Sequence, residues 1–146
     1  MNAGIEIKVK RLSAAARVPR YAHEGAWGDL AADLYAAAAV TIAAGATAAV
    51  STGIALEFPP EYGALVEDRS GLAVRGVTTL AGVIDPGYRG EIRVVVTNLG
   101  AAAVEIAVGD RIAQLRLVKR IEARFEEVEE LANAPRGMGG FGSTGA

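Results

Sequence analysis

The ten residues Arg136-Gly-Met-Gly-Gly-Phe-Gly-Ser-Thr-Gly145 gather one guanidinium, five glycines, one aromatic ring and two hydroxyls in a stretch with no core pattern. These are parts that could close over a phosphorylated, ring-bearing ligand. Glycines let backbone N–H groups approach phosphate oxygens. Ser143 and Thr144 add hydroxyl donors, Arg136 a planar charged fork, and Phe141 a stacking face. Composition alone also describes a flexible Gly-rich end, so the rest of the chain must decide. A second candidate is Asp85, in Asp85-Pro86-Gly87. By itself this is a turn signal, and an aspartate before Pro-Gly has a common local role.

The elements that must hold these groups read as short strands. Ile5, Ile7 and Val9 alternate with Glu6, Lys8 and Lys10, which predicts a half-buried strand. The Ala-rich run from Ala36 to Ala49 has helix-forming composition. Val40 and Ile42 flanking Thr41, with Gly45 as a turn, instead predict strands, and Ile54, Leu56 and Phe58 alternate after them. Pro59-Pro60 closes that strand and residues 64–67 make another. Asp68 to Arg75 predicts a single helical turn, capped by Ser70 and stopped by Gly76. Ile92 to Thr97 is dense in β-branched residues, Asn98-Leu99-Gly100 follows as a turn, and strands are expected at 103–108 and 111–118. Glu122 to Leu131 reads either as a short helix or as an extended solvated arm. Frequent glycine turns and scarce helix predict an all-β sandwich or barrel. One β domain is expected over 1–134, with a tail over 135–146 hinged at Ala134-Pro135.

Composition bounds the partners. With 51% hydrophobic and 22% charged residues the chain is globular in type. A formal net charge of −2 argues against a generic nucleic-acid partner, so an anionic ligand must be small and held by local donors. The absence of cysteine excludes disulfides and thiolate metal sites and fits the cytoplasm. The start lacks a signal-peptide pattern, and the most apolar run, 36–50, is too short and interrupted to span a membrane.

Five segments now stand in order. They are Ala32-Asp-Leu-Tyr-Ala36, Asp68-Arg-Ser-Gly-Leu-Ala73, Gly82-Val-Ile-Asp-Pro-Gly-Tyr-Arg-Gly-Glu-Ile92, Gly109-Asp-Arg-Ile-Ala-Gln-Leu115 and the tail Arg136–Gly145. Together they resemble the five motifs of the trimeric dUTPases, which hydrolyse dUTP to dUMP and pyrophosphate. That reaction limits uracil incorporation into DNA and supplies dUMP for dTMP synthesis. The resemblance spans nearly the whole chain. It implies a jelly-roll-like β-barrel and a homotrimer whose active sites lie between subunits, one subunit lending its tail.

The resemblance also implies roles. Asp85 would order and deprotonate the water that attacks the α-phosphorus. Phosphoryl transfer asks little of the base beyond placing the nucleophile, so an ordinary carboxylate suffices. Tyr88 would lie under the deoxyribose and reject a 2′-hydroxyl, against its reading as an ordinary cross-strand aromatic. Gly82, Val83 and Ile84, in the hairpin from Leu80 to Val96, would read uracil through backbone groups. A mismatch with cytosine there can cost a factor of about 10⁴. Arg69, Ser70 and Gly71 would cradle phosphate at a helical start, and Gln114 would donate to a phosphate oxygen. Arg136 would act as an arginine finger and Phe141 would stack on uracil. Gly142, Ser143 and Thr144 would close on the γ-phosphate. Asp33 would face Mg²⁺ through water, the ion being held mainly by the triphosphate. Asp110 reads as structural. His23, the sole histidine, has no evident partner and reads as a surface residue.

Two departures stand out. Ala31 occupies a position that is usually glycine, after a longer loop, residues 25–30, that holds a second candidate carboxylate, Asp29. Asp68 stands where proline is common. Two rivals remain. A dCTP deaminase of the same superfamily shares the Ile-Asp-Pro-Gly run, but its catalytic glutamate would fall at Val95, which cannot carry a proton. A non-catalytic nucleotide-binding trimer would have no need of Asp85 and Arg136.

Overall fold

The computed structural model describes residues 4–145. Met1 to Ala3 and Ala146, which the domain expectation included, lie outside the described residues. Ten strands and one helical turn follow in order. They are β1 (Lys8–Arg11), β2 (Ala32–Tyr35), β3 (Val40–Ile42), β4 (Thr47–Glu57), β5 (Tyr62–Glu67), α1 (Ser70–Ala73), β6 (Val77–Leu80), β7 (Val83–Ile84), β8 (Glu91–Asn98), β9 (Val104–Ile106) and β10 (Arg111–Lys119). One antiparallel sheet runs β1-β4-β8-β6, a second β2-β10-β5-β7, and β3 pairs with β9. The all-β expectation holds.

Strand β8 illustrates the cause. Ile92, Val94 and Val96 are buried, while Arg93 is exposed and Val95 and Thr97 are half-buried. Period-two alternation puts the branched side chains on the core face. There they meet Leu34, Ile42, Ile54 and Leu56, and burial of each such side chain is worth about 1.5–3 kcal/mol. Asn98 is also fully buried and is not a plain turn residue. Its amide donates to the carbonyls of Ile42 (3.0 Å) and Ala102 (2.8 Å) and its oxygen accepts from Gly100 N–H (2.9 Å).

Two readings need correction. Strand β1 starts at Lys8, and Ile5 is an exposed residue of irregular chain before it. Strand β4 runs through Gly53 with a bulge in its pairing to β8. Gly53 adopts φ +67, and a Cβ there would stand 2.9 Å from the Ala16 methyl carbon. Ser70 is the first residue of α1 rather than its cap. Arg69 takes the cap position in extended conformation, with no side-chain cap bond. Gly76 (φ +84) ends the turn as expected. Of the two readings left open for 122–131, the arm holds: the segment is non-helical and exposed.

Candidate functional site

The expected site residues fall into three groups. The first is the hairpin. After β6 the chain enters Ala81 (φ +60) and Gly82 (φ +111), then the short β7, then the turn at 85–88, closed by Tyr88 N–H to the Asp85 carbonyl (3.1 Å). A left-handed alanine is uncommon. The contact beside it explains why the backbone is held there. Val66 N–H donates to the Gly82 carbonyl (2.8 Å), and a Cβ on Gly82 would meet the Val66 oxygen at 2.7 Å. Strand β5 thus seats the hairpin by backbone contact. Gly63 does the same one step on, where a Cβ would meet the Ile84 oxygen at 2.6 Å. The Tyr88 ring folds back over Gly90, and its hydroxyl donates to the Glu91 carbonyl (2.7 Å).

Val83, Ile84, Asp85, Tyr88, Glu91 and Arg93 line a cleft of about 450 Å³. Asp85 is exposed there, and no hydrogen bond or ion pair engages its carboxylate among the described residues. Glu91 lies deeper. The Ser51 hydroxyl first, then Arg93 and the Gly53 N–H, hold its carboxyl below the usual glutamate value, against the opposing effect of partial burial.

The second group surrounds α1. Asp33, Arg69, Ser70 and Gln114 line another cleft, of about 350 Å³, with Arg111 and Asp29. Asp33 on β2 is largely buried and ion-paired to Arg69 Nε (3.3 Å) and Arg111 (3.6 Å). The Arg69 fork also donates to the Arg111 carbonyl (3.3 Å). At Gly71 nothing lies within 4 Å of where a Cβ would be, so no part of the chain itself demands glycine there. One N–H of the Gln114 amide donates to the Asp68 carbonyl (2.7 Å); the amide keeps a second donor.

Asp68, treated in the sequence only as a departure, is an organiser of this cleft. Its carboxylate accepts from the Thr78 hydroxyl and the Thr79 N–H, both at 2.6 Å. Partial burial pushes its pKa up, but these hydrogen bonds outweigh that and hold it below the ordinary value. The bonds tie the entry to α1 onto β6. The signal that could have found this was the Thr78-Thr79 pair, because threonines near a chain reversal are ready donors. His23 also differs from expectation. It is exposed but partnered, with Nδ1 3.1 Å from Asp29 Oδ1. Asp110 is structural as read, accepting from Ala107 N–H (2.8 Å).

The third group is the tail. Residues 135–145 make local turns only, with Arg136 Nε donating to the Gly139 carbonyl (2.8 Å) and Ser143 N–H to that of Gly140 (3.0 Å). Phe141 is fully exposed at φ +49. No hydrogen bond joins this stretch to the barrel among the described residues. The two clefts share no lining residue, and the tail lines neither.

A two-sheet antiparallel fold with a Gly-seated hairpin, an arginine-rich cleft and a detached Gly-rich end defines a nucleotide-handling β protein. The comparisons give the family. The dUTPase family model matches residues 16–145. The deoxyuridine 5'-triphosphate nucleotidohydrolase of Thermobifida fusca is 47% identical over 146 residues, covering 97% of this chain and 79% of its own length. That of Solibacter usitatus is 45% identical, with 97% of each covered. Among solved structures, the Staphylococcus bacteriophage 80alpha dUTPase with dUpNHpp superposes at a TM-score of 0.87 with 27% identity, over 97% of this chain and 99% of that one. The chain belongs to the dUTPase family.

Proposed function

We propose that this dUTPase hydrolyses dUTP to dUMP and pyrophosphate by directing a water at the α-phosphorus from Asp85. The dUTP diphosphatase reaction comes with the family; the residue roles are the proposal. The observation that carries it is the separation of the three groups on one chain. The hairpin cleft has an unengaged carboxylate and a sugar-sized aromatic. The α1 cleft has arginines and amide donors suited to phosphate. The tail has a guanidinium whose one hydrogen bond is to the tail's own Gly139 carbonyl and a fully exposed ring. A single nucleotide needs all three, so the reading requires three subunits, with the hairpin of one, the cleft of another and the tail of a third around one substrate. The arm at 121–131, with Ile121, Phe125 and Leu131 exposed, supports association, because such side chains are commonly covered by a partner.

In this reading Gly82, Val83 and Ile84 present backbone groups to uracil, and Tyr88 lies under the deoxyribose. Arg69, Ser70, Gly71 and Gln114 hold the phosphate chain. Arg136 neutralises charge that develops on it, Phe141 stacks on the base, and Gly142, Ser143 and Thr144 close on the γ-phosphate. The residues fit Mg²⁺ in one way only. Asp33 faces the cleft with its charge already shared by two arginines, and no three His, Asp or Glu side chains converge among the described residues. That suits an ion held by the triphosphate and water, with Asp33 touching it through water. The ion would supply charge neutralisation on the phosphates.

Among the described residues no helix is long and apolar enough to cross a membrane, and with no cysteine in the chain we place the enzyme in the cytoplasm. The test is pyrophosphate release from dUTP, dCTP, dTTP and UTP with Mg²⁺. The expected result is turnover of dUTP alone, with the others lower by about 10³-fold or more. Ammonia release from dCTP would instead make the protein a deaminase.

A further inference from the structure

The longer loop after Tyr21 holds no residue given a role in the reaction above, yet it is built. His23 N–H donates to Asp29 Oδ2 (2.8 Å), Asp29 N–H donates back to the His23 carbonyl (2.9 Å), and the His23 ring meets Asp29 Oδ1. Inside that neck, Gly28 N–H donates to the Gly25 carbonyl (3.0 Å), and a Cβ on Gly28 would stand 2.7 Å from the His23 oxygen. The tip presents Trp27, fully exposed and held at φ +68. A bulky aromatic in the left-handed region is a backbone outlier that the surrounding bonds must impose. The neck residues His23, Asp29 and Leu30 line the same cleft as Arg69, Ser70 and Gln114. The loop therefore stands at the rim of the phosphate cleft with its largest apolar surface turned outward.

We propose that this loop is a preformed docking rim for the C-terminal tail of a second copy, with the Trp27 ring receiving the Met138 side chain. The proposal rests on the reading of the tail as a lid over this cleft. Met138 is fully exposed and is the one large apolar residue of the tail with no task at the nucleotide. A thioether is flexible enough to settle against an exposed ring whose backbone is held by the loop's own hydrogen bonds, and sulfur–aromatic contacts are favourable. Reach permits it. Met138 and Ser143 are five residues apart, which spans up to roughly 17 Å when extended, so the same tail can touch the rim and the phosphate end together. The loop supplies order that the tail lacks: closing a mobile segment onto a rigid surface loses freedom on one side only.

Trp27 is the sole tryptophan, so its emission reports this contact directly. The experiment uses the full chain with Mg²⁺ and a non-hydrolysable α,β-imido analogue of dUTP. The emission of Trp27 is expected to shift to the blue and to become shielded from iodide when the analogue binds. The shift is expected to vanish in Met138→Ala and in a chain ending at Pro135. In steady state, Trp27→Ala and Met138→Ala are each expected to lower kcat/KM by roughly 2- to 10-fold. The double variant is expected to be no worse than either alone, and Trp27→Phe is expected to recover most of the loss. Unchanged emission and quenching on binding, in a protein whose turnover collapses on tail truncation, would remove Trp27 while leaving the lid intact. A shift that persists in Met138→Ala would overturn the pairing with Met138. Full turnover in the truncated chain would instead sink the lid reading itself.

Discussion

The hairpin at 80–91 and the tail at 135–145 are both glycine-rich and both face solvent, yet they are made for different work. The hairpin is fastened to the barrel. Two of its glycines are hemmed in, Gly82 by the Val66 carbonyl and Gly90 by the Tyr88 ring, while Gly87 is open. In the tail, Gly137, Gly142 and Gly145 have positive φ and nothing within 4 Å of a Cβ, and Gly139 and Gly140 meet only the tail's own Arg136 and Ser143. In the hairpin, glycine fixes one geometry; in the tail, it permits many. A site that must discriminate a base needs the first, and a site that must admit and then enclose a triphosphate needs the second.

The strongest test of this contrast removes the tail. A chain ending at Pro135 is expected to keep its fold and thermal stability, because residues 136–145 form no bond to the barrel among those described. It is expected to lose turnover by about 10³-fold or more, the scale of an arginine finger. Circular dichroism melting and pyrophosphate release measured together check both halves. A large fall in Tm would show that the tail carries structure after all, and the contrast would break.

Next in size is Asp85→Asn. The hairpin's geometry should survive, since Asp85 contributes only its backbone carbonyl to the turn. Binding of the imido analogue is expected to stay within about 3-fold while kcat falls by about 10²–10⁴-fold, as for loss of a general base. Equal losses in binding and turnover would instead give Asp85 a part in holding the substrate.

Legibility in the sequence followed the same division. Local signals were readable: the β-branched run of β8 and the turns at Asp85-Pro86 and Gly109-Asp110. Long-range ones were not. That Asp33 would be pinned between Arg69 and Arg111 depends on β2 pairing with β10, across almost eighty residues. That one strand would run through Gly53 depends on the Ala16 loop packed beside it. Alternation alone cannot locate either neighbour. The resemblance implied sites shared between subunits; the two separate clefts of one chain are what the structure adds.

The smallest effect concerns Asp68, which links the α1 cleft to the barrel. Its folded pKa lies below the ordinary value, as does that of Glu91. A depressed carboxylate binds protons more readily in the unfolded chain than in the folded one. The stability it contributes is therefore complete above about pH 5 and is lost as pH falls below about 4, through its folded pKa. Asp68→Asn should flatten the acid side of the Tm-against-pH curve and leave the neutral region only modestly lower, because the amide oxygen can still accept from the Thr79 N–H. At neutral pH its effect on dUTP should appear in KM rather than kcat, since Asp68 orients Gln114 and the entry to α1 without reaching the hairpin carboxylate. An acid limb of unchanged steepness would mean that the Thr78 and Thr79 bonds do not perturb Asp68 in solution. A change in kcat with KM intact would mean that cleft and hairpin are coupled more tightly than their separation on the chain implies.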